Sequence, residues 1–263
     1  MRNLIYIFIL LIGLSNTSCF QNLGQNPPFD YPEQPTPPPL GKDGQIFYLS
    51  FDENYEEFQS LTEAIKIGTP DLVEGKKGKA YLGAENSYLT FPLENMAAPL
   101  STEITFSFWY KLNNNPDRAG ILVIGPPTKA QSENKQNNRT SGIRLFRENA
   151  NGKQRIKANI GNGTFDHWLD GGANADIDPN DKQWHYISLV LKENEALLYI
   201  DDKKAASTKI KKVSWKNCDI MSIGSGSPRF NEWGHLSDHS IIDELRIFNK
   251  PLNENEIKNL INK

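Results

Sequence analysis

Cysteine is almost missing from this chain: 263 residues contain two, Cys19 and Cys218. A disulfide framework of the kind that staples small secreted domains is therefore excluded. Blocks of like charge are missing as well. The 29 basic and 32 acidic residues leave a formal charge of −3, with no run of five or six of one sign, and nucleic acid is excluded as a partner. No apolar run reaches the roughly 20 residues that a bilayer-spanning helix needs. Helical periodicity is confined to two short places. With 38% hydrophobic and 23% charged residues, the composition is still that of a folded protein, long enough for one large β domain or two small ones.

What is present begins with a leader. Arg2 gives a positive start, Leu4 to Leu14 is an eleven-residue apolar run, and Asn16-Thr17-Ser18 leads to Cys19. These are the parts of a secretion signal. Residues 1–19 resemble a bacterial lipoprotein signal peptide, which implies cleavage after Ser18 and acylation, palmitate included, of the Cys19 thiol. Asn16 departs from the usual Leu, and Phe20 stands where Asp would mark inner-membrane retention. The expectation is a lipid-anchored protein of the bacterial cell envelope, at the outer membrane, on its surface or its periplasmic side. Seven of the sixteen prolines fall between residues 20 and 45. Proline at that density favours extended polyproline II, so residues 20–45 read as a semi-rigid stalk for a domain spanning 46–263.

From Ile46 onward short apolar runs alternate with polar residues and are separated by Gly, Asn and Pro, the pattern of an antiparallel sandwich. In "EITFSFWYKL" Ile104, Phe106, Phe108, Tyr110 and Leu112 share one face; Thr105, Ser107, Trp109 and Lys111 share the other. That is the pattern of a half-buried strand. "QWHYISLVLKENEALLYIDDKK" reads as two strands joined through Glu193-Asn194-Glu195. Further strands are expected at 45–51, 79–82, 88–91, 120–124, 142–147, 155–160, 219–223 and 240–248. "YEEFQSLTEAI" reads as a short helix or an irregular insertion. "LNENEIKNLINK" has Asn253 and Glu256 placed for a capping box, and so a terminal helical turn or two. Trp184 and Phe108 are expected in the core, and Cys218 is expected to be a small buried side chain with no nucleophilic role.

The order "LSFDEN", "GKAYLGAENSYLTFP", "EITFSFWYKL", "QWHYISLVLKENEALLYIDDKK", "MSIGSG", "IIDELRIFNKPLNENEI" resembles the laminin-G-like domains of the concanavalin A-like lectin/glucanase superfamily, over roughly residues 45–259. Asp202 replaces the Gly common in the hairpin turn of that family. The resemblance implies an all-β fold: a two-sheet antiparallel jelly-roll sandwich, one sheet concave, with a short C-terminal helical turn. It also implies that Asp52 and Asp243, at the ends of neighbouring terminal strands, hold a structural calcium, a hard cation that takes oxygen ligands. Their neighbours Glu53 and Glu244 are expected to face away and pair with lysines.

Some enzymes of that superfamily cleave β-glucans with a Glu-x-Asp-x-x-Glu strand, which this chain lacks. Retaining hydrolysis needs two carboxyls about 5 Å apart, so no catalytic residue is assigned. "ADIDPNDKQW" holds Asp176, Asp178, Asn180 and Asp181 but lacks the glycine and glutamate of a calcium loop, and reads as a polar turn. "GNGTFDHWLDGG" combines aromatic faces with hydrogen-bonding acids, which suits a sugar. Trp168 with Asp166 and Asp170 is one candidate carbohydrate site; Arg229, Asn231 and Trp233 form another. Aromatic residues of sandwiches also serve as core.

The stretch "GHLSDHS" offers His235, Ser237, Asp238, His239 and Ser240, but no Gly-x-Ser-x-Gly elbow and no helical register for a metal. Asp238 and Ser240 read as turn formers before the last strand. The function expected is non-catalytic binding of a carbohydrate or glycoprotein by a lipid-anchored domain. Alternatives are a protein-binding component of an envelope assembly and, third, a glycan-cleaving enzyme.

Overall fold

The computed structural model describes residues 41, 43–113, 115–127 and 139–263; Cys19 and residues 20–40 of the stalk lie outside them. Among the described residues the short alternating runs form eighteen strands in chain order. They are β1 (Gln45–Leu49), β2 (Glu56–Glu57), β3 (Thr62–Glu63), β4 (Ile65–Ile67), β5 (Asp71–Glu74), β6 (Lys79–Leu82), β7 (Tyr88–Pro92), β8 (Ile104–Lys111) and β9 (Arg118–Gly125). Then follow β10 (Ile143–Ala150), β11 (Lys153–Gly161), β12 (Asp166–Asp170), β13 (Asp176–Ile177), β14 (Trp184–Leu191), β15 (Glu195–Ile200), β16 (Lys203–Lys209), β17 (Ile220–Ile223) and β18 (Ile241–Phe248). Among the described residues one α-helix, α1 (Glu254–Ile261), follows β18.

The strands make two antiparallel sheets and a two-stranded ribbon. The first sheet runs β16-β15-β14-β8-β18-β6-β5, with β1 also on β18. The second runs β12-β11-β10-β9-β17-β7-β4, with β13 on β11. The all-β sandwich expected from the alternation is therefore what forms. Between the sheets lies a buried cluster that includes Phe47, Phe91, Phe106, Phe108, Leu145, Ile160, Leu189 and Ile247.

Strand β18 changes neighbours along its length. Ile241 and Ile242 pair with β6, whereas Leu245 to Phe248 pair with β1, and a bulge between Asp243 and Arg246 marks the handover. A bulge kinks a strand and re-aims its side chains. Glu244, in the bulge, has φ of 54°.

Strand β8 differs from the half-buried expectation, since both of its faces are covered. Its outer residue Trp109 packs with Tyr186, Val190, Leu197, Tyr199 and Phe248 beneath Leu252 and Ile257. The cause is α1, which lies over this sheet. Thr105 Oγ1 accepts from the Leu252 amide and donates to the Lys250 carbonyl, both at 2.9 Å, tying the chain down just before the helix. Asn253 and Glu256 then form the reciprocal capping box. Burying Ile257 and Leu252 contributes about 1.5–3 kcal/mol each. Trp184 joins this outer layer, partly buried, and Phe108 the central core.

Residues 55–65 adopt the irregular alternative, the ribbon β2–β3. Glu57 is the organiser: its buried carboxylate accepts from the amides of Tyr48 (2.6 Å), Gln59 (2.8 Å) and Ser60 (2.6 Å). Those bonds give the backbone an alternative to a helix. No described helix is long and apolar enough to cross a membrane.

Candidate functional site

Alternation on the second sheet sends Leu145, Ile156, Ala158, Ile160 and Leu169 into the core. Their neighbours in sequence must face outward. Cross-strand register then sets Arg144 against Asn159 and Asn159 against Trp168, with Phe146 against Lys157 and Lys157 against Asp170 in the next row. Part of this outer face is covered by the segment before β18. Phe230 packs on Phe146 and Val123 in a second buried layer, and His235, itself buried, stacks on Phe230 at 4.8 Å.

Trp233 belongs to that covering segment, at a backbone φ of 57°. It lies 6.0 Å from Trp168 of β12, ring centre to ring centre, with 42° between the planes. Trp168 and Trp233 are 44% and 50% exposed, whereas Trp109 is 5% exposed. The two candidate stretches, more than sixty residues apart in sequence, thus supply one platform. Phe165, also exposed, packs with His167 at 5.0 Å, and by strand alternation His167 lies on the face opposite to Trp168.

The charges around the platform are paired. Arg139 lies 5.0 Å from the Trp233 ring centre and 6.0 Å from that of Trp168, while its Nε donates to Asp166 at 3.0 Å. Asn159 donates to the same carboxylate at 2.7 Å. Burial raises the Asp166 carboxyl, but these two bonds prevail and hold it below its ordinary range. Lys157 bridges Glu148 (3.1 Å) and Asp170 (3.0 Å). His235 Nε2 at 3.0 Å, and then Lys157, hold the Glu148 carboxyl down at about 2. Arg118 donates to the Trp233 carbonyl at 2.8 Å, fixing the tryptophan backbone. The sequence reading missed Arg139, Arg118 and Lys157. Lys157 was recoverable from strand alternation, since it stands two residues from Asn159 on the same face.

Arg229 is engaged elsewhere. Its guanidinium pairs with Asp219, before β17, with Nε 3.1 Å from Oδ1. Asn231 is exposed, and its carbonyl accepts from Gly234 at 3.4 Å.

Asp52 and Asp243 flank one turn from two sides. Asp52 Oδ1 accepts from the Lys79 amide at 3.1 Å, and Asp243 Oδ2 from the Lys77 amide at 2.9 Å. The Gly75 amide donates to the Gly78 carbonyl at 3.0 Å. A Cβ on Gly78 would come 1.8 Å from Asp52 Oδ1, and one on Gly75 2.7 Å from Asp243 Oδ2, so both glycines are required. Asp243 is fully buried, and its Oδ1 has no hydrogen-bond partner. Burial pushes its carboxyl up to about 6, against the pull of the Lys77 amide. Two hard carboxylates, one with an orphaned oxygen, fit a calcium ion. No group of three His, Cys, Asp or Glu converges among the described residues, so backbone carbonyls and water would complete the shell. Glu244 pairs with Arg246 at 2.7 Å and Lys77 at 3.6 Å.

Other sequence candidates resolve into structure. Asp238 is more than a turn former: it is buried and ion-paired with Arg147 at 2.9 Å. Ser240 donates to Asp238 at 2.7 Å. The 176–181 loop is a polar turn, with Asp178 accepting from the Asn180 amide at 2.9 Å, and Asp176 pairs with Arg155 at 2.6 Å. Cys218 is half-buried, its thiol pushed up to about 12 by burial, which leaves it inert at neutral pH.

With fold and platform described, the class is plain: a lectin-like β-sandwich with an exposed aromatic surface on one sheet. A family model of the Concanavalin A-like lectin/glucanases superfamily matches residues 82–258, and the chain belongs to that family. A search of curated protein sequences finds no match. Among solved structures the chain is similar to domain 4 of AbnA, an extracellular arabinanase of Geobacillus stearothermophilus in complex with arabinotriose. That likeness has a TM-score of 0.59 at 17% identity, over 82% of this chain and 97% of that one. It is also similar to the binding domain of botulinum neurotoxin serotype C1, with TM-score 0.59 and 15% identity over 84% of this chain and 52% of that one. A third is the binding domain of botulinum neurotoxin DC in complex with SialylT, at TM-score 0.57 and 12% identity over 84% and 51%. The chain spans about half the length of the neurotoxin domains. At these identities the likeness shows the fold.

Proposed function

We propose that this protein is a non-catalytic glycan-binding lipoprotein of the cell envelope, carried by acylated Cys19 and a proline-rich stalk. The observation that carries the binding reading is the exposed Trp168–Trp233 pair, 6.0 Å apart on an open sheet face. A sugar presents an apolar C–H face and a hydroxyl edge; the indoles receive the first, and the Asp166, Asp170 and Asn159 side chains beside them suit the second. The AbnA domain, whose structure is in complex with arabinotriose, makes neutral polysaccharide fragments reasonable first probes. The carboxyls of the face are held below their ordinary range by hydrogen bonds from Asn159, the Gly172 amide and His235 together with Arg139 and Lys157, whereas glycoside hydrolysis needs one carboxyl kept protonated. The carboxyl that burial pushes up, Asp243, is sealed from any substrate.

Asp52 and Asp243 hold a calcium ion in this reading, which neutralises the buried carboxylate and ties the turn at Gly75–Gly78 to the terminal strands. The binding test is a broad glycan array. Saturable binding lost in Trp168→Ala and in Trp233→Ala supports the reading, and no binding by the parent protein sinks it. A second reading, a protein-docking component of an envelope assembly, is favoured by β4, the last strand of the second sheet, where Ile65 and Ile67 are exposed.

A further inference from the structure

A crevice of about 330 Å³ opens between the β6–β7 turn, the β8–β9 loop and the segment entering β18. Its wall is made of Glu85, Asn86, Asn115, Leu236, Ser237 and His239. The polar side chains of Glu85, Asn86, Asn115 and His239 make no hydrogen bond to another described residue, in contrast to the fully paired charges of the sheet face. Leu236, 45% exposed, gives the crevice one apolar side.

The crevice and the tryptophan platform are linked through the backbone. Gly234 lines the crevice and follows Trp233 directly; Pro116 lines it two residues before Arg118, whose guanidinium holds the Trp233 carbonyl at 2.8 Å. The crevice thus begins one residue along the backbone from Trp233.

We propose that this crevice is a second sugar subsite, which receives one hydroxyl-rich unit of a neutral oligosaccharide whose neighbouring unit stacks on Trp233 and Trp168. This rests on the glycan-binding reading and specifies the length and charge class of its ligand. The chemistry fits. Two carboxamides, an imidazole, a carboxylate and a hydroxyl offer both donors and acceptors to sugar hydroxyls, and Leu236 faces the ring carbons. Neither Lys nor Arg lines the crevice while Glu85 does, so an acidic sugar gains nothing there. Its volume lies at the small end of the roughly 300–1,000 Å³ over which small-molecule sites range, the size for a single unit and not an extended chain.

The test measures affinities of the full chain for ladders of one to six units of glucose, xylose, mannose and arabinose oligosaccharides, by calorimetry. For the ladder that binds, affinity rises about tenfold or more when the unit that reaches the crevice is added, the effect of one or two hydrogen bonds to a charged or polar group. In His239→Ala and in Glu85→Gln that step shrinks to less than about threefold, whereas Trp233→Ala weakens every length. Thermal melts confirm that each variant folds, and Glu85→Gln, at an exposed turn, carries the test if His239→Ala does not. A step of undiminished size in folded His239→Ala and Glu85→Gln overturns the subsite and leaves the platform reading intact. Absence of binding by the parent protein to every ladder and to the array overturns both.

Discussion

The Arg147 guanidinium meets the Asp238 carboxylate at 2.9 Å with both side chains out of contact with water, at 0% and 1% exposure. Arg147 Nη1 also donates to the Pro116 carbonyl at 2.7 Å, and Tyr110 donates to Asp238 Oδ2 at 2.5 Å. The pair therefore links β10, β8, the β8–β9 loop and the approach to β18. Removing one partner of a buried ion pair strands the other charge, which costs about 3–5 kcal/mol. Arg147→Met and Asp238→Asn should each lower the unfolding free energy obtained from urea melts by that amount, and the double replacement should recover part of the loss. Single variants within about 1 kcal/mol of the parent would refute the account.

Because Arg139, Lys157 and Arg155 are each matched by a carboxylate on the sheet face, the face attracts no long-range charge. Glycan affinity should change by less than about threefold between roughly 50 mM and 500 mM salt, over which exposed charges become strongly screened. A steep loss with salt, measured by calorimetry, would mean that charge carries recognition.

Asp243 sets a pH dependence of known sign. Its folded value, about 6, lies above the ordinary carboxylate value of about 4, so the native state keeps the proton longer than the unfolded chain does. In chelator, stability should fall as pH rises through about 4 to 6, by up to about 3 kcal/mol from this group. Asp243→Asn should flatten the fall, and calcium should offset it at pH 7 and raise the melting temperature. A melt indifferent to calcium and chelator at pH 7 counts against the ion.

His185 acts in the same direction at higher pH, because its folded value is raised too. Its Nδ1 lies 3.1 Å from Asp201 and its Nε2 3.2 Å from Asp181, and the Asp201 bond, ahead of burial, which opposes it, raises the imidazole above its usual value. Its contribution is complete below about pH 6.5 and is lost as pH rises through the raised value. Solvent at Asp201 limits it to a few tenths to about 1 kcal/mol. Denaturant melts of His185→Gln should match the parent at pH 9 and fall below it at pH 5.5; equal deficits at both would assign it a packing role.

Much of the sandwich was legible because period-two alternation is local: "EITFSFWYKL" and "QWHYISLVL" became β8 and β14 with full register along their length. The cover over β8 was not, since it depends on α1 folding back and being pinned at Thr105. Trp168 and Trp233 stood out as residue types, yet their partnership required β12 and the covering segment to converge. Arg139 over both rings carried no local signal. Asp238 looked like a turn residue because a buried ion pair leaves no trace in spacing; its partner Arg147 is ninety-one positions away.

The helix α1 also divides the molecule in a way that bears on how its surface can change. Its Ile257, with Leu252 just before it, seals the outer side of one sheet, so substitutions there disturb a packed layer and are filtered by folding itself. At Trp168, on the opposite sheet, and Trp233, on the segment that partly covers it, the side chains are half exposed. Exposed side chains there can be exchanged at a smaller cost to the packing of the sandwich than those under α1.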